Sequence, residues 1–322
     1  MRAVLQAGYG NADVLSITET PRPSIDDQEV LVEIRAAGLD RGTWHLMAGL
    51  PYAIRFVSGL RHPKNDVPGI DLAGVVKTVG AAITRFRPGD EVFGIGQGSF
   101  AEYTAAREDK LAHKPPSLSF ELAAAIPVSG LTALKALGEV GHLKVGQHVL
   151  IVGASGGVGT FAVQIAKAMG ARVTGVCSTA KVDLVRSIGA DDVIDYTRED
   201  FADREHEFDL ILDIGGNPSI ARLRRALTAR GTVVITGGEE GGRWTGGLDR
   251  QLRALALSPF VRQRLTTFLN KEHYTGLERL AELVDQGQLV PIVERTYPLA
   301  ETPLAMRHLV AGQARGKLVI TP

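Results

Sequence analysis

The chain has 322 residues, 44% hydrophobic and 22% charged, enough for two domains that each bury a core. Thirty-six basic residues balance 36 acidic ones, so charge gives no case for nucleic acid or an anionic membrane as partner. A single cysteine, Cys177, excludes an intramolecular disulfide and a cysteine-rich zinc site.

The start, MRAVLQAGYG, lacks the apolar core of a signal peptide, and a cytoplasmic protein is expected. Residues 1–118 read as mostly β. Alternating, β-branched runs at 30–34 and 74–79 predict strands, and RPGDEVFG from Arg87 is a turn feeding a strand. Pro115 and Pro116 then interrupt regular structure.

From about residue 120 strands and helices alternate. Helices are expected at 120–125, 131–138, 160–169, 181–188 and 248–257. Strands are expected at 149–152, 172–177, 192–195, 208–213 and 232–236. This alternation implies βαβ units and a parallel sheet over residues 119–258. The longest uncharged stretch, 149–166, nears membrane-span length, but its glycine turn marks it as buried soluble structure. Residues 237–247 are a glycine-rich loop. Residues 262–269 read as an edge strand, and such edges invite pairing between subunits. The rest of 259–322 carries helices at 277–286 and 302–312 and strands near 290–297 and at 317–321, a segment able to rejoin the first domain.

The strongest local signal is VLIVGASGGVGT at 149–160. Ala154, Ser155, Gly156, Gly157, Val158 and Gly159 match a dinucleotide fingerprint with alanine in its first position. The small residue permits the turn, Gly156 lets backbone approach the pyrophosphate, and Gly159 lets helix pack on strand. The following helix N-terminus favours phosphate. An NAD site usually places an acid about 20 residues after the loop. Here Ser178 and Thr179 occupy that zone and Lys181 offers a cation, which points to NADPH.

With these motifs in place, the chain resembles the medium-chain dehydrogenase/reductases, in the zinc-independent quinone oxidoreductase branch. The resemblance runs through AAGLD (36–40), PGIDLAGVV (68–76), RPGDEVF (87–93), GSFAEY (98–103), GLTA (130–133), IGADDVIDY (188–196) and GKLVI (316–320). It implies an α/β fold: a Rossmann doubly wound sheet inserted in a partly open, GroES-like β barrel, with the active site between them. It also implies reduction of quinones or α,β-unsaturated carbonyls by hydride transfer from NADPH, and a homodimer. Zinc-dependent relatives carry Cys where Asp40 stands and His–Glu where Ile70 and Asp71 stand, so no metal is expected.

By the same resemblance, Thr132 contacts the nicotinamide ribose or ring, or packs internally. Tyr196 lies near the adenosine 2′-phosphate with Ser178 and Lys181. Lys317 belongs to a C-terminal basic pair near the cofactor, or to a solvated turn. Gly215 and Gly237 end sheet strands and admit the cofactor closely. Without a metal, a hydrogen-bond donor must meet the developing oxyanion. Tyr52 is the leading candidate and His45 the second. Asp40 lines the pocket, orients a neighbour or caps a helix beginning near Gly42. A zinc-type alcohol dehydrogenase with atypical ligands and a non-enzymatic NADPH-binding protein remain as alternatives.

Overall fold

A computed structural model describes residues 1–216, 218–238 and 242–322. Part of the expected 237–247 loop therefore lies outside the described residues. The chain divides into two units. The first comprises Met1–Leu131, Lys271–Gln286 and Pro291–Pro322; the second comprises Thr132–Asn270 and Gly287–Val290.

The first unit opens with an antiparallel pair, β1 (Arg2–Gln6) and β2 (Leu15–Glu19). Then come β3 (Glu29–Leu39), α1 (Arg41–Ala48), α2 (Arg55–Ser58), β4 (Asp71–Val79), β5 (Glu91–Ile95), β6 (Tyr103–Arg107) and β7 (Leu111–His113). In β3, Val30, Val32 and Ile34 alternate inward. The strand outruns the expected 30–34 because Ala36–Leu39 is buried and pairs on both sides. Helices α3 (Phe120–Ala124) and α4 (Pro127–Lys135) follow. The break expected after 118 falls instead at Leu131. Pro115 and Pro116 do end regular structure, but α3 still packs on β3 and β4.

The second unit holds β8 (His148–Val152), α5 (Gly157–Ala168), β9 (Arg172–Cys177), α6 (Val182–Ser187), β10 (Asp192–Asp195), β11 (Phe208–Asp213), α7 (Ile220–Ala226), β12 (Leu227–Ile235), α8 (Leu248–Leu257) and β13 (Arg264–Thr267). Its six strands are all parallel, in the order β10-β9-β8-β11-β12-β13. This is a doubly wound sheet whose direction of winding reverses between β8 and β11. Strand β8 is buried along its whole length, as a central parallel strand requires. The expected edge strand is β13, and it belongs to this sheet rather than to a separate C-terminal segment.

The chain then returns to the first unit with α9 (Tyr274–Asp285), β14 (Val293–Pro298), α10 (Thr302–Val310) and β15 (Lys317–Thr321). Strand β15 lies between β14 and β3, so the C-terminus completes a seven-stranded sheet begun near the N-terminus. Tyr297, Leu318 and Ile320 share one core with Val4, Leu39, Met47 and Phe100. No helix among the described residues is long and apolar enough to cross a membrane.

Candidate active site

In the second unit, β8 ends in the glycine turn. Gly153 has φ +89°, a left-handed conformation that suits glycine. The turn is tied to β9 by hydrogen bonds from the Gly153 and Ala154 amides to the Val176 carbonyl, at 3.2 and 3.0 Å. Ala154 and Ser155 are buried. Gly156 caps α5, and Gly157, Val158 and Gly159 form its first turn, so the helix starts before the expected residue 160.

The two key glycines differ. A Cβ on Gly159 would stand 2.1 Å from the Gly153 carbonyl oxygen, so Gly159 lets the helix close on the turn. A Cβ on Gly156 would meet only that oxygen, at 3.5 Å. Gly156 thus faces open space at a helix N-terminus, where a pyrophosphate fits.

Toward the β9 and β10 edge, Ser178 opens a short turn, Thr179–Lys181. Tyr196 follows β10, is 63% exposed, and its amide donates to the Cys177 carbonyl. Tyr196, Arg198, Gly215 and Gly216 line a cavity of about 710 Å³ with Val152 and Val176, at the carboxyl ends of the strands. The sequence missed one neighbour here. Strand pairing sets Asp195 beside Cys177, so the end of β9 is acid-free in sequence but not in space. Asp195 is committed locally: Thr179 Oγ1 donates to Oδ2 at 2.6 Å and Thr197 Oγ1 to Oδ1 at 2.8 Å. Cys177 is buried, which pushes its thiol up to about 11.

On the other side of the turn, Gly215 follows β11 and Gly237 follows β12. A Cβ on Gly153 would lie 3.2 Å from the Gly215 amide nitrogen. Thr132 lies in α4 at the start of this unit.

In the first unit, Asp40 is the N-cap of α1, accepting from the Thr43 amide at 2.8 Å. Of its three expected roles this is the observed one. Its Oδ2 is buried without a hydrogen-bond partner. His45 lies in the last turn of α1, and its Nδ1 donates to the Leu50 carbonyl at 2.7 Å. A carbonyl only accepts, so the proton sits on Nδ1 and Nε2 is the nitrogen left for other chemistry. Tyr52 follows, with the Arg55 guanidinium 4.8 Å from its ring centroid.

Lys317 does not lie in a solvated turn, one of its two expected placements. It is 1% exposed, and its ammonium donates to Asp71 Oδ2 at 3.1 Å and Ser129 Oγ at 3.2 Å. The antiparallel pairing of β15 with β3 carries it inward, and Gly38 of β3 leaves the space. A Cβ there would stand 2.9 Å from Asp71 Oδ2. Lys317 is therefore the partner of Asp71. Asp71 also accepts from the Val128 amide at 2.9 Å. Burial pushes its pKa up to about 7; Lys317 pulls against this, and the like charge of Asp40 adds to it. No group of three His, Cys, Asp or Glu side chains able to hold a metal comes together among the described residues.

Residues 26–116 match the alcohol dehydrogenase GroES-like domain, and residues 188–320 match the family described as zinc-binding dehydrogenase. A mouse protein named NAD(P)H oxidoreductase RTN4IP1, mitochondrial, is 35% identical across 97% of this chain and 87% of its own. The chain belongs to the medium-chain dehydrogenase/reductase superfamily. A tomato 2-methylene-furan-3-one reductase is 32% identical across 100% of this chain and 79% of its own. The solved quinone oxidoreductase from Coxiella burnetii superposes with a TM-score of 0.88 at 28% identity, covering 100% of this chain and 99% of that one. Within the superfamily this chain sits with the quinone oxidoreductases, and it is an NAD(P)H-dependent oxidoreductase with a GroES-like and a Rossmann part.

Proposed function

We propose that the protein reduces quinones or α,β-unsaturated carbonyls with NADPH and without zinc. The observation that carries this reading is the state of Asp71. In the zinc-dependent resemblance a His–Glu pair occupies Ile70 and Asp71. Here Ile70 offers no donor atom, and the Asp71 carboxyl already holds the buried Lys317 ammonium. Asp40 Oδ1 serves the α1 cap. This donor set does not suit a zinc ion, which needs about three ligands with an open position.

The cofactor half rests on Gly156, open to a pyrophosphate, and on Ser178, Lys181 and Tyr196 beside the β9 end. Lys181 supplies the positive charge that a 2′-phosphate requires, and Asp195 is turned to Thr179 and Thr197. Thr132, Gly215 and Gly237 border the nicotinamide half in this reading. Bound NADPH supplies the hydride. The protein orients the substrate, excludes water and donates a hydrogen bond to the oxygen that becomes negative, from Tyr52 Oη or a protonated His45 Nε2. One hydride and one proton convert quinone to quinol or enone to saturated ketone. The same reading makes the protein a homodimer paired through β13, beside which Phe260 and Leu269 are exposed. A monomer by light scattering counts against that part.

The test is turnover of purified protein with NADPH or NADH against a panel of quinones and enones, with and without chelator. Chelator-insensitive reduction with lower KM for NADPH is expected. Chelator-sensitive oxidation of simple alcohols would instead support an atypical zinc enzyme. Tight NADPH binding with no turnover would indicate a non-enzymatic binding protein.

A further inference from the structure

The sequence offers no role for Arg250, yet its side chain makes four hydrogen bonds at the carboxyl end of the second unit's sheet. It stands on α8, where its amide donates to the Gly247 carbonyl at 3.0 Å. Its guanidinium, 13% exposed, donates to Asp213 Oδ2 at 2.6 Å, the Pro218 carbonyl at 3.0 Å, the Gly237 carbonyl at 2.9 Å and the Gly216 carbonyl at 3.4 Å. Asp213 is fully buried at the end of β11, and β11 and β12 are paired there, Asp213 beside Ile235. One side chain thus ties the loop after β11 to the loop after β12. A guanidinium suits this task because its donors form a flat fork, whereas an ammonium is a point charge.

The backbones it ties are packed without side chains between them. A Cβ on Gly237 would stand 2.2 Å from the Ile214 carbonyl oxygen, and one on Gly238 would stand 3.0 Å from Gly247 Cα. With the Gly153–Gly215 approach, four segments stack in order: the glycine turn, the loop after β11, the loop after β12 and the entry to α8. None can shift far without moving the next. Strand order assigns the ends of the stack. The turn after β8 is central, and β9 and β10 lie on the side of Lys181 and Tyr196. The loops after β11 and β12 lie on the opposite side, where the other half of a dinucleotide crosses the sheet edge.

We infer that Arg250 is a positioning residue for the nicotinamide half of the cofactor, holding Gly215–Gly216 and Gly237 in register with the glycine turn. This rests on the dinucleotide reading above. It separates two ligands: NADPH spans both halves, whereas 2′,5′-ADP carries only the adenosine side. Arg250→Lys keeps a positive charge on Asp213 but cannot reach both loops. Isothermal titration of the full-length protein is expected to show NADPH binding weakened about tenfold or more, since charge-assisted hydrogen bonds to two loops are lost. Binding of 2′,5′-ADP is expected to stay within about twofold, because no contact on that side changes. The double variant Asp213→Asn/Arg250→Met removes both buried charges, which preserves folding better than removing one, and the same split is expected. Equal weakening of both ligands, or no weakening of either, overturns the inference. Wild-type protein that binds neither ligand overturns the dinucleotide reading itself, and this inference with it.

Discussion

Lys317 Nζ lies 3.1 Å from Asp71 Oδ2 with both side chains out of contact with solvent, although 246 positions separate them in the chain. Removing one member leaves the other as a buried, uncompensated charge. Lys317→Met is therefore expected to lower unfolding free energy by about 3–5 kcal/mol, and Asp71→Asn/Lys317→Met to recover most of that loss. Denaturant titration of the three proteins reads this directly. A single variant as stable as wild type would show that the pair contributes nothing.

The same carboxyl sets a pH dependence. Asp71 has a folded pKa of about 7, above its value of about 3.8 when exposed. The folded state therefore binds a proton more readily than the unfolded state between these limits. Its contribution to stability is full below about pH 4 and is lost as pH rises through about 7. Asp213, raised to about 6 by burial against the pull of Arg250, has the same sign over a narrower range. Subtracting Asp71→Asn from wild-type stability between pH 4 and 8 should give a difference that falls with rising pH. A difference that grows instead would reverse the assignment.

The glycine turn separates fold from binding. Gly159→Ala drives a methyl into the Gly153 carbonyl and should lower Tm sharply. Gly156→Ala meets nothing closer than 3.5 Å, so Tm should hold, while NADPH affinity falls about tenfold or more because the methyl occupies the pyrophosphate approach. Thermal melts and titration of both variants check the contrast. Retained affinity in Gly156→Ala would place the phosphates elsewhere.

His45 and Tyr52 are tested by losing one group at a time. Asn in place of His45 keeps a donor for the Leu50 carbonyl and removes Nε2; Phe in place of Tyr52 removes only the hydroxyl. The residue that donates to the oxyanion should lower kcat about tenfold to a hundredfold with the KM for NADPH unchanged. Steady-state kinetics with one quinone and one enone decide between them. If neither variant lowers kcat, the donor is a different group.

Periodicity and local chemistry made much of the molecule legible in advance. Strands β9, β10, β11 and β15 and helix α8 fall on their expected residues because each is a short apolar or amphipathic run. The glycine turn was legible because backbone approach demands glycine whatever the rest of the fold does. What stayed hidden depends on pairing between distant strands. Resemblance set Lys317 in a basic pair near the cofactor or in a solvated turn, with no sign of a buried carboxylate partner. Only the pairing of β15 with β3, and the missing side chain at Gly38, carries it to Asp71. Asp195 reaches the end of β9 through strand register, and Arg250 reaches Asp213 across 37 residues. The unit boundary at Leu131 was hidden for a similar reason: prolines stop regular structure but say nothing of what α3 packs on.

Cys177 gives the molecule a practical property. Its sulfur is buried at the end of β9 and its thiol stays protonated far above neutral pH, so the chain has no reactive thiol of its own. Any cysteine introduced at an exposed position, such as Leu252 on α8, becomes the sole attachment point for a maleimide dye. Fluorescence from α8 could then be followed in otherwise unaltered protein, with no background labelling to subtract.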